Sequence, residues 1–242
     1  MTARPFRVLV TGSAKRIGRV IAIELSRRGF SVAIHYNTSR AEAEQVSGEC
    51  NNAPIFQADL ARVDEIRRLF SEVRERFGPL DSLVNNAARF TRFNPLEITE
   101  QDWDFIHDVN LKATFFCCQE GARQMEEVGQ GRIVNISSLG GIRPWADHVH
   151  YCASKAGVIM MTKALAKALA PMITVNSVAP GVIAFDHGDQ EVQADVQGMI
   201  NATPMRRSGR PEEIAEAVHF FLTSPDFITG QVLAVDGGLS ER

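Results

Sequence analysis

The chain is poor in the features that would set it apart from ordinary globular proteins. Its 242 residues hold 4 cysteines. Cys50, Cys117, Cys118 and Cys152 show no CxxC spacing, which excludes a disulfide scaffold and leads us to expect reduced thiols and no structural metal. No stretch of 18 apolar residues occurs, and the opening MTARPFRVLVTG has too short an apolar run for a secretory leader. A cytoplasmic chain with no membrane partner is expected. Basic runs never exceed three residues, and 26 Lys and Arg against 29 Asp and Glu leave a net charge of -3. The positive field that a nucleic-acid partner requires is missing.

What is there is a globular composition, 45% hydrophobic and 23% charged, with 18 Gly and 10 Pro. A chain of this length buries roughly 70 to 75% of its unfolded surface, enough for one core without staples. Seven apolar runs rich in β-branched residues read as strands: 7–10, 31–35, 54–58, 82–85, 132–136, 174–179 and 231–235. Between them lie segments of helical period at 17–28, 40–50, 63–77, 111–127, 152–169 and 211–222. This alternation means βαβ units, and the near-continuous apolar strands mean a parallel sheet covered by helices on both faces. The expected fold is α/β, a doubly wound parallel sheet of about seven strands in one domain spanning 1–242. Residues 185–210 break the rhythm with acidic and polar residues around a short amphipathic piece (Val192, Val196, Met199, Ile200). They follow the sixth strand, where such sheets place ligands, and read as a substrate-covering flap in preference to an idle surface excursion.

The first strand runs into Thr11-Gly12-Ser13-Ala14-Lys15-Arg16-Ile17-Gly18 and then a helix. A strand, a glycine turn and a helix N-terminus together make an anion site, with pyrophosphate the expected occupant. The string is not a full GxGxxG, since Arg16 stands where a middle glycine is common. The second strand ends in His35-Tyr36-Asn37-Thr38-Ser39-Arg40. A carboxylate there would bind the ribose 2′-hydroxyl of NAD and repel a 2′-phosphate. None is present, and Lys15, Arg16 and Arg40 supply positive charge, so the expected cofactor is NADP(H), held also by Gly12, Ser13, Ile17, Gly18, Tyr36, Asn37, Thr38 and Ser39. Asp59-Leu60 after the third strand is either an adenine contact or a helix N-cap. Asn86 and Ala87, in the run Asn85-Asn86-Ala87-Ala88 after the fourth strand, bring small side chains and amides to the same edge.

Tyr151-Cys152-Ala153-Ser154-Lys155 opens the helix after the fifth strand. The i,i+4 spacing puts phenol and ammonium on one helix face, where the positive charge is expected to lower the phenol pKa and fit it for general acid–base work. With two tyrosines and five lysines in the chain, this spacing is uncommon by chance. Thirteen residues upstream, Ser138 follows a strand end, where its hydroxyl can hold a substrate oxygen; Ser137 competes for that role. Asn110 sits in an apolar helical stretch, either as a site residue or as a satisfied core amide.

Taken together, TGSAKRIG, NNAA, Asn110, Ser138, YCASK, Ala179-Pro180-Gly181-Val182-Ile183 and the closing Thr229-Gly230-Gln231 to Gly238 resemble the short-chain dehydrogenase/reductase family almost end to end. That resemblance implies a Rossmann-type fold and a catalytic set of Asn110, Ser138, Tyr151 and Lys155. In it Tyr151 protonates the substrate oxygen, Ser138 holds that oxygen, Lys155 binds ribose hydroxyls and lowers the tyrosine pKa, and Asn110 keeps a water in a proton relay. It also places Pro180, Gly181 and Ile183 at the nicotinamide, although the threonine common after that stretch is replaced by Phe185 or Asp186. It implies a homodimer or homotetramer, with Val158, Ile159, Met161 and Leu165 either at one interface or facing the sheet.

Two branches compete. Ser138 together with RRSGRPEEIA and ITGQVLAVDGG resembles 3-oxoacyl-(acyl-carrier-protein) reductases, which implies an NADPH-dependent reduction of a 3-oxoacyl thioester or other ketone. TGSAKRIGR, HYNTS, NNAARF and APGVIAFDHGD resemble pteridine and dihydromonapterin reductases, in which residues at the positions of Arg16 and Phe90 face the pterin; those enzymes carry aspartate where this chain has Ser138. Carbonyl reduction therefore ranks first, with Arg16, Phe90, Ser138, Tyr151 and Phe185 as candidate substrate contacts. A non-catalytic NADPH-binding regulator ranks last, because a pure binder has no need of a proton donor at that spacing.

Overall fold

The computed structural model describes residues 6–183, 185 and 190–241. Strands β1 (Arg7–Val10), β2 (Ser31–Tyr36), β3 (Ile55–Gln57), β4 (Ser82–Asn85), β5 (Gly131–Ile136), β6 (Ile173–Pro180) and β7 (Val232–Val235) form one parallel sheet in the order β3-β2-β1-β4-β5-β6-β7. The order reverses between β1 and β4, the point at which sheets of this kind open a crevice at their carboxyl edge.

Strand alternation divides the core. Val8, Val10, Ile34, Val134 and Val178 point to one face, where they meet Ile21 and Leu25 of α1 (Arg16–Arg27), Val46 of α2 (Arg40–Glu49), and Ile214, Val218 and Phe221 of α8 (Pro211–Thr223). Leu9, Ala33, Leu83, Ile133 and Val175 point to the other, against Ile66, Leu69 and Phe70 of α3 (Val63–Arg76), Cys117 and Met125 of α5 (Ala113–Val128) and Ala166 of α6 (Val149–Leu169). Because the period is two, each strand feeds both layers, which is why these strands lack a polar side. Truncating a fully buried side chain such as Leu83 or Ile66 to alanine costs about 2–5 kcal/mol.

Several elements depart from the expected boundaries. The sequence pattern places no element between residues 85 and 111, yet α4 spans Glu100–His107 and runs through a π-helical turn, Asp108–Lys112, into α5. Its start is a capping box: Thr99 Oγ1 accepts from Asp102 N at 3.2 Å, and Asp102 accepts from Thr99 N at 3.1 Å. β2 extends one residue further, to Tyr36, and α6 begins at Val149, ahead of Tyr151. Within α6, Val158 is buried and the half-buried Leu165 packs against the core on one face of the sheet; Ile159 and Met161 are half-buried. The proposed flap falls partly outside the described residues, as does Asp186. Its described part includes α7 (Gln190–Ala202), and its return is pinned by a bridge between Ile183 and Gly209 and by a 2.9 Å bond from Gly209 N to the Val182 carbonyl.

Candidate active site

A cleft of about 1280 Å³ opens along the carboxyl edge of the sheet. At its nucleotide end the chain passes from β1 through Gly12 into α1. Gly12 has φ 62, and a Cβ there would sit 2.9 Å from Ala87 Cα, so the β1 and β4 turns can approach only because that side chain is missing. A Cβ on Gly18 would collide with Asn86 Nδ2 and the Gly12 carbonyl. Arg16, at the position noted for its missing glycine, also adopts a positive φ of 51, which explains why glycine is common there: the backbone is left-handed whichever residue occupies it.

Lys15, Arg16, Ile17, Gly18, Asn37, Asp59, Leu60, Asn86 and Ala87 line this end with Gly12. Ser13, Tyr36, Thr38 and Ser39 are not among the residues that line the cleft. Ser13 is fully buried, donating its hydroxyl to the Val10 carbonyl at 2.8 Å. Tyr36 is the last residue of β2, so alternation turns its ring into the core with Val32 and Ile34. Thr38 and Ser39 form the turn into α2. Arg40 lies outside the cleft, paired with Glu44 at 2.9 Å, and Lys15 meets Glu42 at 2.7 Å.

One residue here escaped sequence reasoning. His35 is buried, its Nδ1 accepts from Gly12 N at 3.0 Å, and its Nε2 lies 3.1 Å from the Ala58 carbonyl, so it braces the glycine turn against the end of β3. Burial pushes its pKa down to about 4, against the opposing pull of the Ala58 carbonyl and Asp59, so it stays neutral.

At the other end, Ser138, Tyr151 and Lys155 line the cleft together. Ser138 follows β5 and caps the short turn Leu139–Gly141, accepting from Gly140 N at 3.0 Å; it is also hydrogen-bonded to Tyr151. Ser137, the competing serine, spends its hydroxyl on the Val178 carbonyl at 3.1 Å and accepts from Ser177 at 2.7 Å. Lys155 Nζ lies 5.9 Å from the Tyr151 ring centre and donates to the Ile136 carbonyl at 2.9 Å. Burial pushes the Tyr151 phenol up to about 12 while the Ser138 hydrogen bond opposes it, and burial pulls Lys155 down to about 8. The direction is opposite to the expected lowering, because loss of hydration outweighs the Ser138 hydrogen bond.

Asn110 does not line the cleft. It sits on the π-helical turn, accepting from Arg89 N at 2.7 Å and donating to the Arg89 carbonyl at 2.9 Å and Ser154 Oγ at 3.2 Å, which ties the loop after β4 to α6. Its side-chain amide is thus hydrogen-bonded on both its oxygen and its nitrogen. The roof is aromatic. The half-exposed Phe90 meets Tyr151 edge-on at 4.8 Å, and Trp145, absent from the sequence reading, lies parallel to the phenol at 6.1 Å and 7°. Arg16 stands 5.9 Å over the Phe185 ring, and Val196 and Met199 of α7 border the same space. Pro180, Gly181 and Ile183 line the edge below β6.

A family model described as enoyl-(acyl carrier protein) reductase matches residues 12–240. The chain belongs to the short-chain dehydrogenase/reductase family. It is an enzyme, an oxidoreductase of that family. Among its relatives, the 3-oxoacyl-(acyl-carrier-protein) reductase FabG of Staphylococcus aureus is 40% identical over 238 residues, covering 96% of each chain. The 3-oxoacyl-(acyl-carrier-protein) reductase of Synechocystis is 36% identical over 247 residues, covering 99% of each. Of solved structures, a putative short-chain alcohol dehydrogenase from Sinorhizobium meliloti superposes with a TM-score of 0.92 at 32% identity, covering 98% of this chain and 97% of its own. A variant of actinorhodin polyketide ketoreductase with NADPH gives 0.91 at 31%, covering both chains fully. No described helix is long and apolar enough to cross a membrane.

Proposed function

We propose that this short-chain dehydrogenase/reductase is an NADPH-dependent carbonyl reductase acting on a 3-oxoacyl thioester or other ketone. The observation that carries this reading is the Ser138–Tyr151 pair: a buried phenol held at about 12 is fully protonated near neutral pH and hydrogen-bonded to a serine hydroxyl at the cleft wall. Tyr151 donates its proton to the carbonyl oxygen as that oxygen becomes an alkoxide, and Ser138 holds the same oxygen in place. A bound nicotinamide supplies the hydride to the carbonyl carbon.

The residues present fit such a cofactor. The Gly12 and Gly18 positions form a cradle that a Cβ would fill, and the N-terminus of α1 points its free N–H groups there. Lys155 is placed to bind ribose hydroxyls, and Pro180, Gly181 and Ile183 to border the nicotinamide. Asn37 follows β2 and brings no carboxylate, and Lys15 and Arg16 line the same cleft, which favours a 2′-phosphate over a bare 2′-hydroxyl. Both solved homologous chemistry, a ketoreductase with NADPH, and the curated 3-oxoacyl reductases support the same reading.

Dihydropteridine reduction is a second reading, favoured by the Phe90 ring beside Tyr151 and by Arg16 with Phe185 at the mouth. Ser138 stands against it, because a C=N bond needs a proton source at ring nitrogen and not a second hydroxyl. NADPH oxidation against acetoacetyl thioesters, simple ketones and dihydropteridines separates the two: turnover confined to dihydropteridines overturns the carbonyl reading. A cytoplasmic homodimer or homotetramer accompanies it, with exposed Trp103, Phe105 and Phe115 on α4 and α5 as the face to probe by sedimentation.

A further inference from the structure

The residue that caps α6, His148, takes no part in the chemistry assigned to Tyr151, yet it lines the same cleft three residues upstream. Its ring is held on three sides. Nδ1 lies 2.9 Å from Asp147 Oδ1, and since a carboxylate only accepts, Nδ1 carries the proton. Phe90 stacks on the imidazole at 4.6 Å and 23°, and Trp145 meets it edge-on at 5.7 Å and 79°. Asp147 is fixed in turn: Oδ2 is 2.5 Å from Arg92 Nε, and its backbone carbonyl accepts from Phe93 N at 3.0 Å. Burial pushes the Asp147 carboxyl up, but the hydrogen bonds from His148 and Arg92 outweigh it and hold the group below the usual carboxylate range. It is ionised near neutral pH and keeps a proton on Nδ1 of the imidazole.

What remains is Nε2, a lone pair with no hydrogen-bond partner among the described residues. The Phe90 ring lies 4.6 Å from His148 and 4.8 Å from Tyr151, so imidazole and phenol border one pocket. We propose that His148 is a specificity-determining residue, whose Nε2 accepts a hydrogen bond from an O–H or N–H group that the substrate carries beside its reducible carbonyl. The assignment rests on the carbonyl-reductase reading. Its physical basis is the cost of closing an oriented acceptor against a substrate that offers no donor. The titratable and charged groups facing the imidazole are Asp147 and Arg92, with His150 and Tyr151 on the same turn of α6.

Trp145 supplies the readout. The chain has two tryptophans, so in Trp103→Phe protein Trp145 is the sole reporter, parallel to Tyr151 at 6.1 Å. Protein loaded with NADP+ is titrated with phenyl hydroxymethyl ketone and with its O-methyl ether, followed by NADPH oxidation on each. The hydroxyketone is expected to bind at least roughly tenfold tighter. His148→Ala should bring the ratio to about one through Kd and KM, with kcat within about threefold. His148→Gln, which keeps an acceptor oxygen, should restore part of it. A ratio near one with His148 present, no saturable quenching by either ketone, or a ratio that survives His148→Ala overturns the proposal. If both ketones bind with the expected ratio and neither is reduced, the carbonyl-reductase reading fails and Nε2 stands only as an acceptor for a donor-bearing ligand; reduction with no preference for the hydroxyl overturns the His148 assignment and leaves that reading in place.

Discussion

Lys155 donates to the carbonyl oxygen of Ile136 at 2.9 Å, so the reactive turn of α6 is fastened to the last residue of β5. The bond places the ammonium at the carboxyl edge of the sheet, where it is buried and its pKa falls to about 8. An interior cation of this kind is held by one strand end.

That burial gives opposite trends above neutrality. Lys155 titrates at about 8 in the fold against 10.5 unfolded, so the unfolded chain holds the proton more tightly and this group adds stability, up to roughly 3 kcal/mol, as pH rises from 8 towards 10.5. Over the same window the ammonium is lost and NADPH affinity should fall. Thermal unfolding and NADPH titrations between pH 7 and 10 check both, and an affinity that is flat across pH 8 would remove Lys155 from the cofactor site.

Tyr151→Phe should lower kcat about 100-fold to 10,000-fold while NADPH Kd stays within about threefold, because only the proton is removed. Steady-state kinetics and fluorescence titration measure the two. A variant that keeps most of its turnover would displace Tyr151 as the proton donor.

Asn37→Asp introduces a carboxylate at the end of β2, where the cleft is lined by Asn37 and Lys15. The NADPH to NADH ratio of kcat/KM should drop by about tenfold or more, as charge repels the 2′-phosphate and the new acid binds the 2′-hydroxyl. An unchanged ratio would place the adenosine ribose elsewhere.

His35 is expected to make the protein acid-sensitive. Its folded pKa of about 4 lies below 6.5, so the unfolded state takes up the proton first, and stability present above pH 6.5 drains away as pH falls towards 4, by roughly 3 kcal/mol at most. His35→Leu should flatten that dependence. It should also weaken NADPH binding several-fold, since Gly12 N loses its acceptor and the glycine turn its brace. Denaturation midpoints at pH 4.5 and 7 test the first part; a variant with the same acid loss would refute it.

The sheet was legible because its signal is local. Valine and isoleucine runs at Arg7–Val10, Ser82–Asn85 and Gly131–Ile136 state their own conformation, and the turns after them carry Gly12, Asn86 and Ser138 to one edge whatever the rest of the chain does. Helix α4 was missed although Thr99 and Asp102 form a capping box, because its single buried residue, Ile106, gives almost no apolar period. The boundary at Tyr36 cost more. One further residue of β2 turned the Tyr36 ring into the core.

By itself the sequence determined the α/β alternation, the glycine turn, and the spacing that brings Tyr151 and Lys155 to one helix face. The tertiary structure alone decided which groups act in a shared environment: that burial raises the Tyr151 pKa, that Ser137 is spent on β6, that Asn110 is bonded to Arg89 and Ser154, and that His148 is oriented by Asp147. Propensity and spacing act over a few residues along the chain. Burial and hydrogen-bond saturation depend on partners brought together from distant segments, and they set the pKa values and free lone pairs on which the chemistry depends.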